Sequence, residues 1–540
     1  MNYRALGAFG ILLSLISAPA RAQDDDDDDD APAPAAKPAE APVADASLSA
    51  KASVDADADA SAKLKAKTPD AHEAVTPATE EAESSPAPER APVYGKRADW
   101  VIQPYGYARL DAIEDSTQSF EDGIQPNLIA RVGTYKGDHR RSILTAKDSR
   151  IGLFVGAPTF EGMKTSAQVE FDFYGLTPTD ARRNDSYIFG PVRIRHAYFK
   201  LETKVVDVIA GQYYDLFGWG SYFYPATVAY LGVPGQIYHR NPQLRLEKKL
   251  KAGELEVMGA VAAVRGGSRD AGVPDFQGGI KLAYNGWSGI ATPGFGRPAI
   301  TPISVGFSGI YRHFEVPAFY SEPGSKAVTT NGWGVALSAV IPVIPVKKVE
   351  DRANALTVTG EFSTGTGIAD MYTGMDGGSR FPILPNPNMS TNPVPYQANV
   401  DPGLVTFDRN AELKTIGWHA FVAGVQYYLP IDHGRVWIAG IYSRAWSDDI
   451  KKLTPFPSYG GIFTKMEYID ANLGVDITPA IVVGLSFQTV KQTFGDVSAP
   501  DPVYGNVAGP TLGIPTVPGT GGVAASARNN RGQLSFAFFF

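Results

Sequence analysis

The chain contains no cysteine, so its fold must close without disulfide bonds. Beyond its first twenty-odd residues it has no run of eighteen apolar residues, which excludes a helical membrane span in that part. It also lacks the GxSxG elbow, the P-loop and the dinucleotide fingerprint, and its seven histidines do not have the spacing of a metal site. We therefore expect no enzyme activity, no metal site, no cofactor and no nucleic-acid partner.

The N-terminus has the three parts of a secretory signal peptide over residues 1–22. Arg4 supplies the positive charge, and residues 5–18 form an apolar run that is too short to cross a bilayer as a helix. Ala20 and Ala22 then place small side chains at the two positions that determine cleavage. We expect the chain to be exported and cut after Ala22.

Residues 23–97 differ in composition from everything that follows. They are rich in Ala, Pro, Asp, Glu, Lys and Ser, with 18 acidic and 8 basic side chains, whereas residues 98–540 carry no net charge. A segment with high charge and low hydrophobicity does not bury enough apolar surface to offset the entropy of folding, so we expect a disordered periplasmic tail. Its aspartate run, residues 24–30, is interpreted as a solvated spacer, with loose Ca²⁺ binding as the alternative.

From Trp100 onward, aromatic and Gly-rich segments alternate apolar and polar side chains with a period of two, which is typical of β-strands. Residues 164–173 and 468–477 are the clearest cases. Their polar faces carry four carboxylates: Glu170, Asp172, Asp470 and Asp476. Charged groups on an inward face are too costly in a dry core but not in a water-filled lumen. The alternation therefore favours a channel over a soluble β-sandwich.

The last residues of the chain, RGQLSFAFFF, form a terminal strand with Phe536, Phe538 and Phe540 on one face. An apolar face of this kind suits the lipid side of a barrel whose edge is paired. The pattern resembles the C-terminal signal of bacterial outer-membrane barrels, which the barrel-assembly machinery reads. We interpret the three phenylalanines as an assembly signal.

Counting alternating segments predicts sixteen strands. They are residues 101–112, 147–156, 163–173, 192–202, 204–213, 242–248, 254–264, 276–284, 302–313, 332–341, 354–364, 418–428, 435–445, 465–477, 480–491 and 532–540. Tight turns alternate with long loops, notably 366–417 and 492–531, as transmembrane barrels require. Residues 98–540 are therefore predicted to be an all-β, antiparallel transmembrane barrel with both termini in the periplasm. Eighteen strands remain an alternative.

The segment from Lys147 to Lys248 resembles the N-terminal half of Gram-negative outer-membrane porins, most of all the DcaP-like trimeric porins. The motifs that carry the resemblance are SRIG at 149–152, RHAY at 195–198, GQ at 211–212 and PQLR at 242–245. The resemblance implies a sixteen-stranded homotrimer in the outer membrane that passes small, often anionic, solutes. Members can also carry a helical N-terminal extension in the periplasm, whereas the extension here is acidic and Pro-rich.

In trimeric porins the third outer loop folds into the barrel, and here that loop spans about residues 214–240. Its aromatic content suits packing against a barrel wall. Alternation predicts the side chains that line the constriction: Arg109, Arg150, Glu170, Asp172, Arg193, Arg195, Asp215, Arg240 and Arg245. Because Arg193 and Arg195 share a face with Ala197, Phe199 and Leu201, we expect a bulge or a subunit contact there. An equally open alternative for each residue is a screened, paired charge at a strand end.

We therefore predict an outer-membrane porin for small hydrophilic solutes, with a preference for organic anions such as carboxylates because arginine engages carboxylates bidentately. The alternatives are a structural or adhesive barrel with a plugged lumen, a sugar-selective porin that uses Trp219 and the loop tyrosines, and, remotely, an outer-membrane phospholipase. Several tryptophans are interpreted as membrane-interface anchors: Trp100, Trp287, Trp333, Trp418 and Trp437.

Overall fold

The structure is a computed structural model. It describes residues 99–124, 128–175, 191–220, 222–229, 232–267, 270–318, 326–375, 384, 399–408, 410–453, 463–494 and 525–540. All of these lie in the compact unit from Asp70 to Phe540. The predicted signal peptide, residues 1–22, and the predicted acidic tail, residues 23–97, lie outside the described residues.

Seventeen strands form one sheet and two more form a small hairpin. The strands are β1 (Val101–Asp115), β2 (Arg141–Thr145), β3 (Arg150–Gly156), β4 (Lys164–Asp172), β5 (Arg193–Glu202), β6 (Asp207–Tyr214), β7 (Arg240–Ala252), β8 (Leu255–Val264), β9 (Asp275–Ala291), β10 (Ala299–Pro317), β11 (Ala327–Ile344), β12 (Leu356–Thr366), β13 (Val405–Phe407), β14 (Leu413–Thr415), β15 (Gly417–Tyr428), β16 (Val436–Trp446), β17 (Phe463–Asp476), β18 (Ile481–Phe494) and β19 (Ser526–Phe539).

The large sheet is a closed barrel of sixteen antiparallel strands, as predicted. β2 and β3 both pair with β1 and act as two halves of a single barrel strand. Each barrel strand pairs with its neighbour in sequence, and β1 closes the ring by pairing with β19 from Tyr107 opposite Phe539 to Asp115 opposite Arg531. A closed ring leaves no edge strand, so every backbone ladder is satisfied within the sheet.

In the described residues the helices are single turns in the connections between strands. Two are α-helical, Tyr135–Asp138 and Ile450–Leu453, and four are 3₁₀: Phe217–Trp219, Val349–Asp351, Ala369–Met371 and Asp432–Gly434. No helix in the described ranges has the length and apolar character needed to cross a membrane.

Side chains alternate between the inside and the outside of the barrel as the sequence pattern predicts. On β4, Glu170 and Asp172 are buried inside, whereas on β17 the apolar Ile469 is 55% exposed on the outer face. On β19, Phe536 and Phe538 are exposed on the outside and Phe539 is buried inside. Charge inside and hydrocarbon outside is the arrangement of a barrel that faces lipid around an aqueous or polar interior.

Two details of the sequence interpretation are wrong. The segment 285–301, which lies between the predicted strands 276–284 and 302–313, is mostly strand: β9 continues to Ala291 and β10 begins at Ala299, with a register shift between Pro302 and Ile303. Trp418 and Trp437 are not interface anchors, because both fall on inward positions and are almost completely buried. Trp100, Trp287 and Trp333, by contrast, are exposed on the outside.

Candidate functional site: a loop across the lumen and a cluster of arginines

The connection between β6 and β7 is here called L3 (residues 215–239), and its described residues, 215–220, 222–229 and 232–239, leave the wall and lie in the barrel interior. Its first turn lies against the inner face of β9 and β10. Three hydrogen bonds fix it there: from Phe217 N to Gln277 Oε1 (2.9 Å), from Gly218 N to Ser308 Oγ (2.8 Å) and from Trp219 Nε1 to Phe307 O (3.1 Å). The side chain of Trp219 is 1% exposed. The start of L3 is therefore part of the packed interior.

The middle of L3 reaches strands on another part of the wall. Thr227 Oγ1 donates to Asp470 on β17 over 2.6 Å, and Val228 N donates to Asn472 Oδ1 over 2.8 Å. The carbonyl of Val228 accepts from Arg109 Nη2 on β1 over 2.6 Å. Because β9 lies six strands from β17 and seven from β1 around the ring, these contacts place L3 across the lumen.

The last part of L3 is held by β12 and by the loop that follows it. Ile237 N donates to Glu361 Oε1 over 2.8 Å, and Ile237 forms an isolated β-bridge with Tyr372. Gly218 has a φ of +83°, and a Cβ there would lie 2.6 Å from the Ile237 side chain. Only glycine therefore allows the two ends of L3 to pack this closely.

The wall on either side of the L3 ends carries a network of arginines and carboxylates. Arg195 forms ion pairs with Glu170 (2.5 Å) and Asp172 (3.1 Å), and Arg193 pairs with Asp172 over 2.6 Å. Arg150 Nε lies 3.5 Å from Glu170. The two carboxylates are thus shared among three guanidinium groups, and the side chains of Arg150 and Arg193 remain 23% and 34% exposed.

A β-bulge separates these two arginines from the apolar side chains that follow them on β5. Glu170 pairs with His196, but the next pair is Phe171 with Ile194, so Arg195 is the extra residue. Beyond the bulge the alternation of β5 is reversed, and Phe199 lies on the outer face, 50% exposed. The bulge expected from the sequence is confirmed, and it explains why Phe199 points outward although Arg193 and Arg195 point inward.

A fourth guanidinium group, that of Arg240, lies where L3 rejoins the wall. It lies 5.6 Å from the ring centroid of Tyr214 and 5.3 Å from that of Tyr238, and the two phenol oxygens are 2.7 Å apart. In the described part of the chain no carboxylate forms an ion pair with Arg240. Burial raises the pKa of the Tyr238 phenol, but Arg195 and Arg240 outweigh burial and bring that pKa below its usual value. The surroundings of Tyr238 are therefore positive.

We call Arg150, Arg193, Arg195 and Arg240 with Glu170 and Asp172 the arginine cluster. The other three residues predicted at the constriction support L3 or the wall. Arg109 is 5% exposed and pairs with Asp148 over 2.7 Å. Arg245 is 2% exposed, pairs with Glu247 over 2.8 Å and lies 5.3 Å from the Trp219 ring. Asp215 is 3% exposed and accepts from Asn241 over 2.9 Å.

Sequence reasoning did not single out Tyr214 or Asp148 as part of this region. Tyr214 is the last residue of β6, directly before L3, and Tyr238 is the second-last residue of L3, so their closeness follows from the fact that both ends of L3 meet the same part of the wall. Asp148 lies in the break between β2 and β3 and pairs with Arg109 over 2.7 Å. Within the described residues, no group of three or more His, Asp or Glu side chains is arranged to hold a metal ion.

The architecture is that of the outer-membrane porins. No family model matches the sequence, and no curated protein does. Among solved structures, the outer-membrane channel DcaP of Acinetobacter baumannii has a TM-score of 0.54 at 18% identity, covering 83% of this chain and 100% of DcaP. An anion-selective porin from Comamonas acidovorans has a TM-score of 0.44 at 11% identity, covering 82% of this chain and 100% of that porin. The predicted resemblance to DcaP is confirmed at the level of the fold.

Proposed function

We propose that the protein is an outer-membrane porin that passes small hydrophilic solutes by passive diffusion and favours small organic anions such as carboxylates. The observation that carries the proposal is the arginine cluster beside the two ends of L3. Three guanidinium groups share two carboxylates there, and a fourth, that of Arg240, lies against aromatic rings, so positive charge exceeds negative charge. L3 narrows the lumen and brings a passing solute close to this charge.

The chemistry of the cluster favours carboxylates over other solutes. A guanidinium group keeps its charge at all physiological pH values and presents paired donors that match a carboxylate. Arg240 is held by aromatic rings rather than by a carboxylate, so its charge is available to a solute. A fixed positive potential in a narrow, partly dehydrated passage raises the local anion concentration and lowers that of cations.

The same proposal includes the placement of the chain. The signal peptide, residues 1–22, is removed, and the acidic tail, residues 23–97, stays in the periplasm. The long loops and L3 lie at the outer end of the barrel. The C-terminal strand with Phe536, Phe538 and Phe540 is recognised by the assembly machinery. The barrels form a homotrimer surrounded by outer-membrane lipid. The support is the barrel itself, in which β1 and β19 begin and end at the same rim.

A plugged structural or adhesive barrel is a second candidate because apolar side chains pack inside the barrel near its outer loops. These apolar side chains come from L3 and from the loops after β1 and β12, and they include Phe120, Ile129, Val233, Tyr372 and Leu404. Sugar selectivity has less support. Trp219 is buried and its indole N–H is used by Phe307 O, so its ring does not offer a free stacking face.

Single-channel recording of the purified full-length protein in a planar bilayer tests the proposal. We expect conductance steps and a reversal potential that indicates anion preference. The variant R150Q/R193Q should keep its conductance and lose most of that preference, whereas R140Q, which removes an 85% exposed arginine at the outer rim, should not. A folded barrel that never conducts would support the plugged alternative, and cation preference in the wild type would overturn the proposed selectivity.

A further inference from the structure

A row of basic side chains crosses the outer face of four neighbouring strands, β16 to β19, near their outer ends. Arg444 is paired with Glu467, Glu467 with Lys491, and Lys491 with Arg528 in the sheet register. Lys465 lies two residues from Glu467 on the same face. We call these four cations, Arg444, Lys465, Lys491 and Arg528, the basic row.

The basic row faces outward and not into the lumen. On each strand its neighbours in sequence are the inward, buried residues; among them, Met466 is 2% exposed, Val490 1% and Asn529 1%. Arg528 is exposed, and Lys465 and Glu467 have side-chain exposures of 28% and 26%. These cations therefore cannot select solutes in the channel.

The row lies at the level expected for lipid headgroups. On β19 the lipid-facing phenylalanines begin at the terminus with Phe540, and Arg528 lies on the same face twelve positions earlier. That separation is about 40 Å along a strand, and a strand tilt of about 40° makes it roughly 30 Å along the membrane normal. Since the hydrocarbon core is about 30 Å thick, Arg528 meets the membrane surface when Phe540 meets the opposite one.

Most of the charge in the row is not neutralised by the protein. Lys465 pairs with Glu467 over 3.0 Å, and Arg444 lies 4.9 Å from the ring centroid of Trp446. Considering the described residues only, neither Lys491 nor Arg528 forms an ion pair with a carboxylate. Four cations thus face lipid with one carboxylate among them.

The basic row does not continue over β10, β11 and β12. On β10, β11 and β12 the outward side chains near the same rim are His313 and Glu315, Asn331, and Thr364, none of which is Lys or Arg. His313 there bonds to Asn331 over 2.7 Å. A uniform girdle of positive charge would be a general feature of the rim, whereas its absence from β10 to β12 favours a local binding site on β16 to β19.

We propose that the basic row binds the phosphate-bearing headgroup of a lipid in the outer leaflet. The outer face of β17 and β18 below it, with Ile469 and Phe487 exposed, packs against the acyl chains of the same lipid. Cations beside an anionic headgroup and an apolar band beside its chains are complementary to one amphipathic, anionic molecule. The inference rests on the outer-membrane location proposed above.

The test uses the full-length protein in phosphatidylcholine nanodiscs titrated with fluorescent bisphosphorylated lipid A. The variant K465Q/K491Q/R528Q should bind this lipid at least tenfold more weakly, because each Lys or Arg near an anionic surface contributes about fivefold. The control variant K204Q/K347Q/K348Q removes three exposed lysines from turns at the opposite rim and should bind like the wild type. Dephosphorylated lipid A should bind weakly to all three proteins.

Three outcomes would overturn the site. Equal binding of phosphorylated and dephosphorylated lipid would show that headgroup charge is not recognised. Equal weakening in the control variant would show non-specific attraction. Loss of the oligomer in the triple variant, measured by native mass spectrometry, would identify the row as a subunit contact. Conductance, recorded in parallel, reports on the proposed channel, so failure of the lipid site and failure of the porin function can be told apart.

Discussion

The guanidinium group of Arg240 lies 5.3 Å from the ring centroid of Tyr238, two residues before it at the end of L3. A cation over an aromatic face is stabilised by about 0.5–2 kcal/mol, less than a buried ion pair gains in Coulomb energy, but the contact leaves the net charge intact. A hydrogen bond between the phenol oxygens of Tyr214 and Tyr238 holds the two rings beside each other. The pair therefore holds a positive charge in place without cancelling it.

Replacing Arg240 tests whether this charge sets selectivity. A unit charge about 5 Å from the path of a solute changes its energy by about 0.8 kcal/mol in water, so R240Q should lower the anion-to-cation permeability ratio about two- to fourfold. R240K keeps the charge but loses the planar stacking on Tyr214 and Tyr238, and should retain most of the ratio. Reversal potentials in a salt gradient measure both. An unchanged ratio in R240Q would remove Arg240 from the selective site.

Tyr238 should make the selectivity sensitive to alkaline pH. Its phenol is neutral at low pH and negative at high pH, and Arg195 and Arg240 bring its pKa below the usual value despite burial. Anion preference should therefore be full at neutral pH and fall as the pH rises through that lowered pKa. Ultraviolet titration of wild type minus Y238F should show one tyrosine ionising before the bulk. A preference that falls equally in Y238F would assign the effect to other groups.

Asp470 anchors the middle of L3, and its loss should loosen the loop. D470A removes the acceptor of both Thr227 Oγ1 and Ser486 Oγ, and each buried unsatisfied hydroxyl costs about 1–3 kcal/mol. We expect noisier currents and a higher open conductance. D470N keeps the shape and one acceptor oxygen and should behave more like the wild type. If D470A gave wild-type traces, the contact would not determine the loop position.

Substitutions of Phe539 and Phe540 should have different effects, the first on the stability of the barrel and the second on its assembly. Phe539 is buried inside, 5.3 Å from the Tyr107 ring, so F539A should destabilise the assembled barrel by about 3–5 kcal/mol and lower its heat resistance. Phe540 is 46% exposed, so F540A should leave the stability of the assembled barrel nearly unchanged but reduce the amount assembled in the outer membrane. Heat-modifiability gels and membrane fractionation separate the two effects. Normal assembly of F540A would exclude the terminal ring as a signal.

The strand count was predictable because alternation and turn residues are local properties of the sequence. The bulge at Arg195 was predictable for the same reason, since a regular strand would put the charged Arg193 and the apolar Phe199 on one face. The limits of β9 and β10 were not, because the register shift that lets them continue depends on the pairing between the two strands.

The contacts that each arginine makes inside the barrel could not be predicted. Alternation gives the face of Arg109, Arg150 and Arg245 but not the partners that lie there. Arg109 reaches Val228 on L3, 119 residues further along the chain, and Thr227 reaches Asp470 across 243 residues. Contacts at this separation depend on where L3 crosses the lumen, and no short-range pattern in the sequence contains that information.

The pairing of β1 with β19 means that the barrel can close only after its last strand has been made. The guanidinium group of Arg531 donates two hydrogen bonds to the carboxylate of Asp115, of 2.8 and 2.7 Å. The backbone groups of Phe540 and Gly106 form two further hydrogen bonds with each other. The partner of the first strand is thus the last to be synthesised, and until it arrives both ends of the sheet are open edges able to capture another chain. Because of this topology, the open strand edges must be shielded from other chains until β19 pairs with β1.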